Sequence, residues 1–123
     1  MLTLDEVHAR LRAKPSAALS QPFGPGVDVY KVGGKMFLIM AEDPPPRLTL
    51  KCDPVLSEIL RGQYRAITPG YHTDKRHWIS IAQDADLPDA EIERLIDHAY
   101  DLVRSKLTRK ARAELEAAER AGR

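Results

Sequence analysis

Residues 27–40 read VDVYKVGGKMFLIM, two largely apolar stretches joined by Gly33-Gly34. Glycine adopts positive φ without steric cost, so a Gly-Gly pair between two such stretches predicts a tight β-hairpin. The second stretch, residues 35–40, is apolar at odd and even positions alike. It is therefore expected to be a central strand, covered at least partly on both faces.

A two-residue turn also fixes the register of the hairpin. Val32 should pair with Lys35 and Lys31 with Met36. Because neighbouring residues of a strand point to opposite faces, the two lysines should lie on opposite sides of the sheet.

The segment before the hairpin predicts one helix and a connector. Residues 3–6, Thr-Leu-Asp-Glu, match the capping box that begins a helix, and Pro15 should end it. Residues 15–26 are rich in proline and glycine and are expected to be irregular, with Phe23 packed into the core.

After the hairpin, residues 47–52 alternate between polar and apolar side chains, which is typical of a strand. A helix should follow directly, because Asp53 is a good N-cap and Pro54 suits the first turn. Gly62 is a plausible stop for this helix. Its buried side is predicted to consist of Val55, Leu56, Ile59 and Leu60.

Two further short strands are predicted at residues 65–68 and 77–82, on either side of an exposed loop, residues 70–76, which we call the wing. Leu87-Pro88-Asp89 should open the longest helix. The expected order is α-β-β-β-α-β-β-α, a two-layer α+β domain with a mainly antiparallel sheet and helices packed on it.

The sequence predicts one domain at residues 1–107 and a basic, helix-prone tail at residues 108–123. A chain of 123 residues can bury one core without metals or disulfides. The single cysteine, Cys52, has no internal partner, which favours a reducing cytoplasm, and its position favours burial over reactivity. No signal peptide or membrane span is expected.

Charge is distributed unevenly along the chain. Residues 61–78 carry four cations and one acid, a net +3; residues 84–101 carry seven acids and one cation, a net −6; residues 104–123 carry seven cations and three acids, a net +4. Either the basic segments meet a polyanion, or acidic and basic segments neutralise one another in the fold.

Two of the four histidines, His72 and His77, raise the question of a metal or acid–base site. They have no cysteine or third ligand nearby, and no nucleophile motif accompanies them. We therefore expect hydrogen-bonded structural histidines, no catalytic residues, no metal and no cofactor. Asp89, Glu93 and Asp97 share one helix side, which is more typical of a solvated face than of an iron site.

Several motifs in register resemble the MmcQ/YjbR family between about Thr3 and Leu107. They are Phe23-Gly24-Pro25, the hairpin at residues 30–37, Leu50-Lys51-Cys52-Asp53-Pro54, residues 69–78 and Leu87-Pro88-Asp89. The resemblance implies a bacterial protein with a CyaY-like (YjbR-like) fold that binds DNA through two wings. The second wing would be residues 70–76, and the first would be the loop after Gly34 or the proline loop at residues 44–46.

The predicted function is therefore binding of double-stranded DNA, mainly at its phosphates, by a non-enzymatic protein that is expected to be monomeric and to have no membrane partner. The candidate nucleic-acid-binding residues are Lys31, Lys35, Arg47, Lys51, Tyr71, His72, Lys75, Arg76 and Trp78. Tyr71 and Trp78 are candidates for stacking on bases. The alternatives are that the lysines only solubilise the surface and that Trp78 belongs to the core.

A second hypothesis assigns the same region to a different class of function. Tyr71, His72 and Trp78 would line a pocket for a protein segment or a small anionic metabolite. This interaction module would also be non-enzymatic.

Overall fold

Ten helices and strands follow one another along the residues described by the computed structural model, 2–42, 46–71, 73–82 and 87–122. They are α1 (Leu4–Arg12), β1 (Ala18–Ser20), β2 (Val27–Val32), β3 (Lys35–Ala41), β4 (Arg47–Lys51), α2 (Pro54–Gln63), β5 (Ile67–Pro69), β6 (Trp78–Ala82), α3 (Asp89–Ser105) and α4 (Arg109–Ala121). The strands form one antiparallel sheet in the order β1-β2-β3-β4-β6-β5. The predicted α+β class is confirmed, with one additional strand, β1.

The core lies between one face of this sheet and the helices. Leu38 pairs with Leu50, and Leu50 pairs with Ile79, so these side chains form a row across the central strands. All three are fully buried in the same cluster as the apolar side chains of α1, α2 and α3. The opposite side of the sheet, which carries Ile39 and Thr49, is called the open face below.

The β2–β3 hairpin has the predicted register. Val32 pairs with Lys35 and Lys31 with Met36, and both turn glycines have positive φ. One feature was not predicted, since Tyr30 pairs with Leu38 and Phe37 is left as an extra residue, a β-bulge. The bulge lets Phe37 join the core, where its ring contacts Tyr100 of α3 edge-on at 5.5 Å, while Met36 lies on the open face.

The three predicted helix starts are confirmed, and the third is α3, which begins at Asp89. The Thr3 hydroxyl accepts from the Glu6 amide and the Glu6 carboxylate accepts from the Thr3 amide, which completes the capping box. The Asp53 carboxylate accepts from the amides of Val55 and Leu56, with Pro54 in the first turn of α2.

Two predictions about the segment between α1 and β2 were wrong. The connector is not wholly irregular, because β1 pairs with β2 and extends the sheet by one strand. Phe23 does not fill the core, since 64% of its side chain is exposed. Three residues without apolar alternation give no sequence signal for a strand, so only pairing with β2 defines β1.

The buried side of α2 also differs from the prediction. Val55 and Ile59 are 67% and 58% exposed, whereas Ser57 and Leu60 are buried. Gly62 lies inside the last turn, and the helix ends at Gln63. The helix packs mainly on β5 and β6 at one edge of the sheet, so a narrow apolar stripe is sufficient to bury it.

The C-terminal tail is helical, as predicted, and contacts the rest of the molecule. Leu115 packs against the core, and Glu119 of α4 pairs with Arg104 of α3. The proposed boundary after residue 107 stays a prediction. None of the helices in the described ranges has the length and apolar character needed to cross a membrane.

Candidate nucleic-acid interface

Internal hydrogen bonds constrain the wing between β5 and β6. The amide of Gly70 donates to the carbonyl of Trp78 at 2.9 Å, and Lys75 Nζ donates to the carbonyl of Gly70 at 3.1 Å. Asp74 lies 2.7 Å from His77 Nδ1 and accepts from the amide of Arg76. These bonds fix the described part of the wing, residues 70–71 and 73–76, against β6, and the ammonium of Lys75 is held at its base.

The predicted structural role of His77 agrees with this arrangement. The hydrogen bond from His77, followed by the one from the Arg76 amide, lowers the pKa of Asp74. No cluster of three or more possible metal ligands occurs in the described ranges. His72 lies outside the described residues.

Trp78 is a buried residue rather than an exposed stacking platform. Only 6% of it is accessible, and Lys51 Nζ lies 5.3 Å from the centre of its ring. The ring is therefore packed, which is the alternative stated above, and it is not available for base stacking in this conformation. The ammonium of Lys51 is within cation–π distance of this ring.

Tyr71, the other aromatic candidate, is 48% exposed. The Arg47 guanidinium lies over its ring, with 3.9 Å between the Arg47 Cζ atom and the ring centre. The amide of Tyr71 donates to the hydroxyl of Ser80 at 3.0 Å, and Ser80 in turn hydrogen-bonds Thr49 at 2.8 Å. These bonds fix Tyr71 and Arg47 together at the open face.

Three lysines line a single cavity of about 380 Å³. Lys35 begins β3, Lys51 ends β4, and Lys106 follows the last turn of α3. We call these three residues the lysine cluster. The apolar part of the lining is formed by Met36, Trp78, Leu102, Val103 and Leu107.

Lys106 is a member of this cluster that sequence reasoning missed. It lies 55 positions after Lys51 in the chain (106 minus 51), and no local pattern links the two. The only available signal was its position after the last turn of a helix, where a cation complements the helix dipole. Packing of α3 across β3 and β4 brings it to the cavity.

The other predicted cations do not line this cavity; they are Lys31, Arg47, Lys75 and Arg76. Lys31 pairs with Met36 on the open face, and Lys51 is close enough to Asp74 to contribute to the lowering of its pKa. The lysine cluster and the base of the wing are thus neighbours. Arg76 is exposed in the wing, whereas Arg47 lies beside Tyr71.

Two acids of α3, Glu93 and Asp97, pair with cations that lie outside the lysine cluster. Arg10 Nη2 lies 2.7 Å from Asp97, Lys14 Nζ lies 2.5 Å from the same carboxylate, and Arg10 Nη1 lies 3.1 Å from Glu93. Glu93 and Asp97 therefore neutralise Arg10 of α1 and Lys14, which follows α1, on the helix side of the molecule. Internal neutralisation thus holds for Glu93 and Asp97. The hypothesis that the basic segments meet a polyanion stays a prediction.

Cys52 is fully buried at the end of β4, as predicted. Burial raises the pKa of its thiol to about 11, and the nearby Asp53 carboxylate adds to this. A thiol with this pKa stays protonated at neutral pH, so Cys52 serves as a core residue.

Comparison with known proteins agrees with this architecture. The family model described as YjbR matches residues 12–102, which include the hairpin, the wing and most of α3. The chain belongs to the YjbR family. Uncharacterized protein YbdF of Escherichia coli O157:H7 is 39% identical over 103 residues, 82% of this chain and 84% of that protein. Uncharacterized protein YjbR of Escherichia coli K12 is 33% identical over 100 residues, 80% of this chain and 85% of that protein.

Solved structures of similar proteins also support the YjbR fold. The crystal structure of Deinococcus radiodurans protein DR2400, with a DUF419 domain, superposes with a TM-score of 0.86 at 32% identity, over 94% of this chain and 89% of that one. A Pseudomonas syringae protein of known crystal structure superposes with a TM-score of 0.74 at 22% identity, over 83% of this chain and 99% of that one, which supports the fold alone. The relatives are bacterial, as the resemblance implied.

Proposed function

We propose that this YjbR-family protein binds double-stranded DNA at its phosphates through the lysine cluster, assisted by Lys75 and Arg76 of the wing. The observation that carries the proposal is the convergence of Lys35, Lys51 and Lys106, from three separate elements, on one cavity. We also propose that the protein is a cytoplasmic monomer without enzymatic activity.

Electrostatics favours an anion at this place. Like charges around one cavity repel one another, and the apolar lining reduces the screening that water supplies. A phosphate that enters the cluster relieves this repulsion, and the DNA releases condensed counterions at the same time. Stacking of Lys51 against Trp78 limits the conformations of that side chain, which lowers the entropy lost on binding.

Recognition would be independent of base sequence. The cluster consists of ammonium groups, which act as point charges, and the candidate stacking residue Trp78 is buried. Phosphate contacts position a protein on a duplex but carry no sequence information directly. We therefore expect similar affinities for duplexes of different sequence.

Fluorescence anisotropy with a labelled duplex of about 20 base pairs, at a series of salt concentrations, tests the proposal. The logarithm of the affinity should fall linearly with the logarithm of salt, by about 0.9 for each phosphate neutralised. Replacement of Lys35, Lys51 and Lys106 together by glutamine should reduce that slope by about 2 to 3. The double variant Lys75→Gln, Arg76→Gln should reduce it by about 1 to 2.

A control variant of equal charge is available in Arg12→Gln, Arg65→Gln, Lys110→Gln, which changes three exposed cations of α1, the α2–β5 loop and α4. It should keep the wild-type slope. Equal reductions of the salt slope in the two triple variants would show that only net charge matters. That result would contradict binding at a defined surface. Absence of binding at the lowest salt concentration would eliminate DNA as the partner.

A further inference from the structure

The cavity of the lysine cluster has an apolar lining that the proposed DNA contact does not use. We call the aliphatic part of this lining the apolar floor, and it consists of Met36, Leu102, Val103 and Leu107. DNA presents charged phosphates on a hydrophilic backbone, so a duplex bound at the ammonium groups would leave the floor in contact with water. A ligand that covers the floor therefore gains binding energy that a duplex does not.

Packing holds most of the apolar floor in place. Leu107 lies so close to the hairpin turn that a Cβ atom added to Gly33 would be 2.6 Å from the Leu107 Cδ1 atom. Val103 and Leu107 are buried, whereas Met36 and Leu102 are half-buried. Methionine is unbranched and flexible, so Met36 can adapt to a group that lies against it. The floor therefore has a fixed base and an adaptable, partly exposed surface.

The ammonium groups of the lysine cluster are available to an anion. Among the described residues, Lys35, Lys51 and Lys106 form no ion pair with a carboxylate. Lys51 is near enough to Asp74 to affect its pKa, but that carboxylate is already hydrogen-bonded to its own neighbours. Lys51 Nζ also lies 5.3 Å from the ring centre of Trp78, and this contact leaves N–H groups for a ligand, because an ammonium has three donors.

The combination of charge and apolar floor favours an anion with an alkyl chain. An aromatic ligand would gain most from an exposed ring on which to stack, and only 6% of Trp78 is accessible. Aliphatic side chains instead suit a hydrocarbon chain, in which each fully buried methylene strengthens binding roughly fourfold. The cavity, of about 380 Å³, is also large enough for a small molecule, since such sites measure roughly 300 to 1,000 Å³.

We propose that this cavity binds a medium-chain fatty acid. The chain would lie on Met36 and Leu102, and the carboxylate would be bound by the lysine cluster. The site shares its lysines with the proposed function, but the proposal does not rest on DNA binding. Because a bound fatty acid occupies the ammonium groups, it would compete with a duplex that uses them.

Isothermal titration calorimetry with decanoate below its micelle concentration, in the absence of DNA, tests the proposal. We expect one saturable site and an affinity about tenfold lower for octanoate, which is two methylenes shorter. The uncharged analogue 1-octanol and the cation octyltrimethylammonium should each bind at least about fivefold more weakly than octanoate, because they lack the carboxylate. Equal affinities for octanoate and decanoate would show that the floor is not covered and would overturn the proposal.

NMR of methyl groups locates the bound chain. Decanoate should shift the signals of Leu102 and Leu107 and leave those of Val55 and Ile59 unchanged. The latter two are the exposed apolar side chains of α2, at which non-specific binding of an alkyl chain would appear. Shifts at α2 instead of the floor would contradict the proposed site.

Variants separate the contribution of the floor from that of the charges. Leu102→Ser should reduce the difference in affinity between decanoate and octanoate, and Met36→Gln on β3 provides the same test should the change in α3 prevent folding. The triple glutamine variant of the lysine cluster should weaken binding of both acids by at least about tenfold. The triple control variant described above and Ile59→Ser should keep the wild-type affinities.

Two further results would overturn the proposal: unchanged binding in the triple variant of the lysine cluster, and no saturable binding up to millimolar decanoate. Neither result affects the anisotropy test of DNA binding, which contains no fatty acid, so the two proposals can fail separately. If the duplex binds as proposed, decanoate should raise its apparent Kd. Binding of both ligands without competition would contradict a shared site.

Discussion

Arg104 of α3 and Glu119 of α4 form a doubly hydrogen-bonded ion pair, with N–O distances of 2.7 and 2.8 Å. The two side chains are 22% and 19% exposed, so water screens the pair only in part. Glu119 also accepts from the hydroxyl of Ser16, and Arg104 donates to Tyr100. These contacts join α4, which has no fully buried residue of its own, to the sheet domain.

Glu119→Gln should therefore destabilise the attachment of α4. Loss of the charged partner leaves Arg104 partly buried without its carboxylate, at an expected cost of about 1 to 3 kcal/mol in the free energy of unfolding. Urea denaturation followed by circular dichroism measures the change, and limited proteolysis locates the release in α4. Glu116→Gln, an exposed acid of the same helix, should change stability little. A similar loss of stability in both variants would contradict a specific role of the Arg104–Glu119 pair.

The ion pairs of Asp97 with Arg10 and Lys14 predict that part of the protein's stability is lost in acid. The hydrogen bond from Arg10, followed by the one from Lys14, lowers the pKa of Asp97. Because the pKa in the folded state lies below that in the unfolded chain, the stability from this group is present above the unfolded value, about 3.9, and is lost as the pH falls through the folded value.

Asp97→Asn should therefore lower stability at neutral pH and flatten its fall in acid. Urea denaturation midpoints measured from neutral pH to about pH 2 should converge for the wild type and the variant at the acid end. Glu58→Gln, at an exposed position of α2, should keep the wild-type pH profile. A constant gap between Asp97→Asn and wild type at every pH would show that the loss is steric rather than electrostatic.

Local signals in the sequence were sufficient for much of this fold. The turn of the hairpin, the capping box at Thr3 and the cap at Asp53 each depend on residues within a few positions of one another. A pattern of this kind determines backbone geometry without knowledge of the rest of the chain. The turn alone predicted the first two pairs of β2 and β3, whereas the pairs beyond the bulge at Phe37 are shifted by one residue.

Features that depend on distant contacts were predicted less well. Ile59 has the same character as Leu60, and only the placement of α2 at the end of the sheet decides that Leu60 is buried and Ile59 exposed. Trp78 was a candidate for base stacking because the sequence does not show that packing leaves only 6% of it accessible. Lys106 joined the candidate site only through the packing of α3. Charge and hydrophobicity give no information on which distant side chains meet.

Close packing at the base of the wing gives a final prediction. A Cβ atom added to Gly70 would lie 2.2 Å from the Thr73 hydroxyl oxygen and 2.5 Å from the Cβ atom of Trp78. The hydroxyl can rotate away, but the Cβ atom of Trp78 is fixed to the backbone of β6. Gly70→Ala should therefore destabilise the protein by about 1 to 3 kcal/mol, the usual cost of overpacking.

Gly62 provides the matched control, because a Cβ atom added there meets nothing within 4 Å and the residue lies inside α2. Gly62→Ala should stabilise the protein by about 0.5 to 1 kcal/mol, since alanine loses less backbone entropy in a helix. Urea denaturation should thus show changes in the free energy of unfolding that have opposite signs in the two variants. If Gly70→Ala were as stable as the wild type, Gly70 would be able to move away from Trp78 at little cost, which would contradict the close packing described here.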